Sequence, residues 1–243
     1  MHRYGEPDFD AEYMKWGFHN LDTQLKEAES ILKIVGAEKP LQILDLACGI
    51  GTHAIHWAKQ GHDVTAIDIS KTFLDKARRS AFRENVDVGF VRSDMKTLSC
   101  KRSFDVVTWI EVFDFDRKVV EKVHTFLRKG GLFIFDVRNP ENPKAKARQG
   151  NWRTWREENG VFFLEKHETD PDTGQREDLW ITINSQREII EERAGFVGIP
   201  LSLADKVRLL KKAGFRNVEL RTMEGILFDS GQEPYWLWVV AEK

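Results

Sequence analysis

Apolar positions along the chain alternate between the spacing of one helical face and the unbroken runs of a strand buried on both sides. Leu25, Ala28, Ile31, Leu32 and Val35 share a face and predict a helix over 22–35, stopped by Gly36. The run 41–47 reads as a buried strand feeding a glycine loop, followed by a helix through Ala54–Lys59 that closes at Gly61. A second strand over 64–68 leads to a helix whose inner face is Phe73, Leu74, Ala77 and Ala81. Strands over 88–91 and 104–110 end in Ser93-Asp94 and Glu111. A helix over 116–128 buries Val119, Val120, Val123, Phe126 and Leu127, is stopped by Gly130-Gly131, and gives way to a strand over 132–137. Repeated strand–helix units of this length predict an α/β fold, a Rossmann-like parallel sheet with helices on both faces.

The pattern breaks after Asn139. Residues 140–150 are a polar linker, and 151–198 contain strand-like stretches split by Glu157-Glu-Asn-Gly160 and Asp170-Pro-Asp-Thr-Gly174, both hairpin-type turns. A small antiparallel layer inserted into the α/β core is expected. The core resumes with Ser202 and Asp205 as a capping box. Leu203, Val207 and Leu210 then mark a helix ending at Gly214, followed by strands over 218–223 and 236–242.

Composition narrows the classes. The 243 residues are 41% hydrophobic and 31% charged, a globular balance that excludes disorder and fibres. With 37 basic against 39 acidic residues, an extended nucleic-acid or membrane surface has no electrostatic support. Cys48 and Cys100 form no metal-ligand spacing or disulfide framework. His53 and His56 stand one helical turn apart with no third ligand nearby, so no metal is expected. Met1–Pro7 shows no signal-peptide core and no segment reaches the length of a membrane span, which gives a cytoplasmic expectation.

The loop Asp45-Leu-Ala-Cys-Gly-Ile-Gly-Thr-His-Ala54 carries the chemistry. A strand, G-x-G and then a helix let a ligand approach bare backbone, and the spacing also fits a dinucleotide fingerprint. Asp68 ends the second strand, placed to accept both hydroxyl hydrogens of a ribose. Asp45, just before the glycines, would repel a pyrophosphate and attract an ammonium. Asp94 could accept an adenine amine. Three carboxylates at successive strand ends suit a cationic nucleoside with an amino-acid tail, which is S-adenosylmethionine (SAM).

On Leu44-Asp-Leu-Ala-Cys-Gly-Ile-Gly-Thr, Ala66-Ile-Asp-Ile-Ser, Arg92-Ser-Asp-Met, Phe104-Asp-Val-Val, Leu127-Arg-Lys-Gly-Gly and the closing Ala213-Gly-Phe, the sequence resembles the class I SAM-dependent methyltransferases over 41–139 and 200–243. The resemblance implies a seven-stranded sheet with an antiparallel last strand. It implies one methyltransferase domain over 1–243: an N-terminal cap (1–36), a SAM-binding core (37–139), an inserted β lid (140–199) and a core completion (200–243). It also implies cofactor contacts from Asp45, Ala47, Gly49 and Gly51 with the methionine part, Asp68 with the ribose, and Asp94 with Met95 at the adenine. Ile69 and Ile110 are counted with these. The stretch from Trp152 through Gly174 looks like the hairpin lid of small-molecule methyltransferases. Asp136-Val-Arg-Asn is similar to the stretch in glycine N-methyltransferases whose arginine binds the substrate carboxylate. The asparagine-containing loop of that family after strand four is replaced by Trp109-Ile-Glu-Val-Phe.

The expected reaction is in-line methyl transfer to a small molecule, an amine in particular, with Glu111 as the catalytic group. Tyr13, Trp16, Trp109, Arg138 and Trp152 are the candidate substrate contacts, and Trp155 is a further aromatic at the cleft rim. Trp57 and Trp238 are expected in the core. No Pro-Pro-aromatic motif follows strand four, which argues against DNA as substrate. Four alternatives share parts of this pattern: an O-methyltransferase of a small acid or phenol, an RNA methyltransferase, an NAD-dependent oxidoreductase and a SAM-binding protein without catalysis.

Overall fold

A computed structural model describes residues 5, 10, 20–111, 115–139, 142, 153–158, 160–169, 176–198, 201–229 and 233–243. In chain order these form α1 (Leu21–Val35), β1 (Gln42–Leu46), α2 (Thr52–Lys59), β2 (Asp63–Asp68), α3 (Lys71–Arg83), β3 (Gly89–Arg92), β4 (Phe104–Trp109), α4 (Arg117–Phe126) and β5 (Leu127–Arg138). They continue with β6 (Arg153–Glu158), β7 (Val161–Thr169), β8 (Arg176–Ile183), β9 (Ile189–Gly198), α5 (Leu203–Ala213), β10 (Arg216–Thr222) and β11 (Trp236–Glu242).

Seven strands make one sheet in the order β10-β11-β5-β4-β1-β2-β3. β1 pairs in parallel with β2 and β4, and β11 runs antiparallel to both β5 and β10. Strand residues are apolar on both faces because both are covered. Leu44, Leu46, Val107, Phe133 and Phe135 pack under α4 and α5, against Val120, Val123 and Leu210. Ile43, Val106, Ile134 and Trp238 pack on the other side with Ala28 and Ile31 of α1 and Ala54 and Trp57 of α2. The chain leaves β1 and β4 for opposite sides of the sheet, and the crevice this opens at their carboxyl ends is where an open α/β sheet takes a ligand.

Most elements match the periodicity. The inner face of α3 is Phe73, Leu74, Ala77 and Ala81, and Asp205 N–H donates to Ser202 Oγ (3.1 Å) at the start of α5. Three local expectations change. α4 ends at Phe126, and Leu127 already pairs with Phe104 in the sheet. Gly130 and Gly131 are therefore no helix stop. They kink β5 where the chain end meets it: Gly130 N–H donates to Lys243 O and Lys243 N–H to Gly131 O, both at 3.0 Å. A Cβ on Gly131 would sit 3.0 Å from the Asp105 carbonyl oxygen, so any other residue would have to push that strand aside.

α1 buries Gln24, Glu27 and Ser30 beside Ala28 and Ile31, while Leu25, Leu32 and Val35 are only half-buried. The helix is turned toward its polar flank because those polar groups find partners across the fold.

The second sheet is an antiparallel meander, β6-β7-β8-β9. Its first expected turn ends at Gly160 (φ 75°), and residues 170–174 lie outside the described residues. A third turn, at Asn184–Glu188, escaped the pattern: Asn184 Oδ1 accepts the N–H groups of Gln186 (3.0 Å) and Glu188 (2.9 Å). Among the described residues, no helix is long and apolar enough to cross a membrane.

Candidate active site

Beyond β1 the backbone coils through left-handed conformations at Ala47 (φ 57°), Gly49 (φ 54°) and Gly51 (φ 79°). Cys48 N–H donates to Ile67 O (2.9 Å), tying the loop to β2, and Gly51 caps α2. The two glycines serve different needs. A Cβ on Gly49 would meet nothing within 4 Å, so its backbone faces open space. A Cβ on Gly51 would fall 2.9 Å from Ala77 Cβ and 3.0 Å from the Phe90 ring, so close packing of the loop on α3 and β3 demands that glycine.

Asp45 is buried at the end of β1. One oxygen accepts from Thr108 Oγ1 (2.8 Å), and the other is buried with no partner among the described residues. Burial pushes its carboxyl up to about 6, against the opposing pull of His53 and the Thr108 hydroxyl. Asp68, at the end of β2, accepts Ser70 N–H at one oxygen and Gly49 N–H at the other, both at 2.8 Å. Burial raises its carboxyl, and these backbone hydrogen bonds work against the rise. Each oxygen retains capacity for a second donor.

Asp94 follows β3 and accepts Lys96 N–H (2.8 Å) in a tight turn, with Met95 packed on the core beside it. Ile69 is exposed and its carbonyl accepts from Arg92 Nε (3.0 Å), whereas Ile110 is buried on the α1 side of the sheet.

Glu111 continues from β4 in a left-handed conformation (φ 57°), uncommon for a residue with a side chain. Its N–H donates to Asp136 Oδ1 (2.8 Å), and its Oε2 accepts from Gln24 Nε2 (3.4 Å). The residue opens to solvent on one side, yet its carboxyl is largely desolvated. Burial first, then the charges of Glu27 and Asp136, push that carboxyl up to about 7. Burial likewise brings Asp136 to about 6. His53 Nε2 and Glu27 Oε2 lie 3.1 Å apart, both residues buried, and the partner carboxylate helps raise the imidazole against its desolvation. Gln24 and Glu27 are one turn apart on α1, so that helix presents an amide to Glu111 and a carboxylate to His53. The Glu111 carboxyl, at about 7, is in the range where a group exchanges protons at neutral pH.

The expectations missed Glu27, Gln24 and the His53 contact. The available signal was two polar residues at i, i+3 flanking the apolar stripe of α1. His53 and His56 do not converge: His53 faces Glu27, and among the described residues His56 Nε2 is buried without a partner. Among the described residues no three potential metal ligands gather.

Trp109 departs from expectation. It is 2% exposed and stacks on Phe115 (5.4 Å between ring centroids) and Phe133 (6.5 Å) in the core under α4 and α5, away from any rim. Its alternation with Thr108 along β4 points it to that core face. Trp57 and Trp238 are in the core as expected. The Arg138 guanidinium lies over the rings of Tyr235 (5.7 Å) and Trp236 (5.5 Å). Tyr13, Trp16 and Trp152, and the side chain of Trp155, lie outside the described residues.

These features fit a cationic amino-acid nucleoside such as SAM. The buried Asp45 oxygen lacks a donor, Gly49 leaves its backbone uncovered, and Asp68 has spare acceptor capacity.

Residues 43–131 match the family model described as a methyltransferase domain. A ubiquinone biosynthesis O-methyltransferase of Alkalilimnicola ehrlichii is 28% identical over 158 residues, 60% of this chain and 63% of that protein. The chain spans about half the length of the curated relatives it matches. The crystal structure of a SAM-dependent methyltransferase from Clostridium acetobutylicum superposes with a TM-score of 0.74 at 16% identity, covering 97% of both chains. A sugar N-methyltransferase from a Streptoalloteichus species gives 0.68 at 19% identity, covering 100% of this chain and 96% of the other. The latter two likenesses are of fold alone. Residues 43–131 are thus similar to a methyltransferase domain, and the seven-stranded sheet that holds them has the fold of the two crystal structures.

Proposed function

We propose that the protein transfers a methyl group from SAM to a small-molecule amine in the cytoplasm, with Glu111 orienting the nitrogen and taking its proton. The observation that carries this reading is the cluster of desolvated carboxyl groups, Glu111 with Glu27 and Asp136, at the carboxyl ends of β4 and β5. Such a site attracts a cation, and an ammonium must lose a proton before its nitrogen can attack. A carboxyl at about 7 is divided between its two forms at neutral pH, suited to accept that proton and release it to water.

When bound, SAM supplies a methyl group already activated on a sulfonium. The protein's own task is to hold and align. Asp45, with its donorless oxygen, takes the ammonium of the methionine part, and the backbone of Ala47, Gly49 and Gly51 lies along it. Asp68 accepts from the ribose, Asp94 and the Met95 amide meet the adenine, and Ile69 and Ile110 wall the cleft. Residues 1–20 and 140–198 form a cover that excludes water, bringing Tyr13, Trp16 and Trp152 to the acceptor. Arg138 holds a carboxylate or phosphate on the same molecule.

O-methylation is the competing reading, favoured by the ubiquinone biosynthesis relatives. A panel of amines, amino acids, phenols and acids scored by product formation separates the two. Amine turnover is expected, with Glu111→Gln lowering kcat by about 10²–10⁴. Turnover confined to phenols or acids, unimpaired by that substitution, would overturn the amine assignment and leave methyl transfer standing.

A further inference from the structure

Asp10 is fully buried, unlike most aspartates. Its Oδ1 accepts Gly5 N–H (3.0 Å), and its Oδ2 is buried with no partner among the described residues. Gly5 lies against the residue that follows Asp68: a Cβ on Gly5 would stand 3.3 Å from Ile69 Cγ1. The Asp10 charge reaches Asp68 and adds to the rise of its carboxyl. Two acidic side chains at the end of β2 thus lie within each other's electrostatic reach, and among the described residues nothing serves Asp10 Oδ2.

A desolvated carboxylate oxygen without a donor is unfavourable, and a like charge nearby makes it more so. The arrangement calls for a ligand with two adjacent donors. A metal ion is a poor fit, since among the described residues no third ligand joins the two. A vicinal diol fits: it is neutral, carries two O–H donors, and has room beside Asp68 over the uncovered backbone of Gly49.

We propose that Asp10 completes the ribose site with Asp68, each carboxylate accepting from one ribose hydroxyl. The inference rests on the SAM reading of the site and extends it to a residue that the sequence pattern does not mark. Since Gly5 N–H donates to Asp10, seating Asp10 on the ribose also holds Gly5 against Ile69.

Calorimetric titration of the full chain with S-adenosylhomocysteine and with its 2′,3′-dideoxy analogue tests this. Asp10→Ala removes the acceptor. Asp10→Asn keeps an oxygen for Gly5 N–H and puts a nitrogen donor in place of Oδ2. Both variants are expected to bind S-adenosylhomocysteine roughly tenfold to a hundredfold more weakly, while binding the dideoxy analogue as wild type does. Unchanged affinity for the diol ligand, or an equal loss for both ligands, would overturn the role of Asp10. Either of those results alongside a marked loss in Asp68→Ala leaves the SAM reading intact, whereas a wild-type chain that binds neither ligand overturns that reading as well.

Discussion

Single residues in this molecule draw their chemistry from desolvation. Asp45, Glu111 and Asp136 all hold protons more tightly than free carboxyl groups, to about 6, 7 and 6. His53 is also raised, by its Glu27 and Asp45 neighbours. The sign for stability follows. A group whose folded value exceeds its unfolded one binds more protons when folded, so stability falls as pH rises toward the folded value. For Glu111 that window runs from 4.5 to about 7, and His53 adds to it above 6.5. His56, His62 and His124 are lowered and act in the opposite sense only below 6.5. The ligand-free protein is therefore expected to melt at a lower temperature as pH rises from 6.5 to 8, and Glu111→Gln should flatten that decline in a series of thermal melts. The acids at strand ends, Asp45, Asp68 and Asp94, were legible from position alone. Glu27 was not, because its place on α1 looks like that of any solvated helix glutamate until His53 is brought against it.

Elements were legible where local chemistry sets them. The α3 stripe, the Ser202 cap and the left-handed Gly36 and Gly214 that end α1 and α5 all arise within a few residues of sequence. The limits of α4 were not, since Leu127–Gly131 can continue a helix or start a strand, and pairing with Phe104 and Lys243 decides for the strand. The glycine loop divides in the same way. The motif marks Gly49 and Gly51 alike, but only Gly51 is pressed against Ala77 and Phe90. Gly51→Ala combines that overlap with an unfavourable φ and should destabilise the fold by about 2–4 kcal/mol, read as a lower urea midpoint. Gly49→Ala has room for its methyl, so its cost is limited to the left-handed φ, about 1 kcal/mol.

For the whole molecule, strand order decides which strand ends become neighbours. β1 lies between β2 and β4, and β4 next to β5, which draws Asp45, Asp68, Glu111 and Asp136 toward one edge of the sheet from widely separated stretches of chain. The β6–β9 meander lies outside that sheet and has the standing of a cover in the proposed function. Closing covers are drawn from the less stable parts of a fold. Amide exchange in β6–β9 should therefore slow when S-adenosylhomocysteine is added, and protection limited to residues 41–95 would remove the lid assignment. The strand–helix alternation by itself predicted a parallel sheet covered on both faces, and the seven strands with an antiparallel last one came from the resemblance carried by the glycine loop and strand-end motifs.

The sequence by itself determined the alternation of elements, the glycine loop and the carboxylates that end its strands, all properties of short stretches with their own period and turn chemistry. Only the tertiary structure decided which flank of α1 turns inward, that Glu27 meets His53, that Trp109 belongs to the core and that Asp10 is buried with Gly5, which lies against Ile69. The partners in each of these contacts lie far apart along the chain, 26 residues for Glu27 and His53 and 87 for Gln24 and Glu111. Local periodicity carries no information at that range. Such pairs are fixed by the order and spacing of strands, and by the need of every buried polar group for a partner once water is gone.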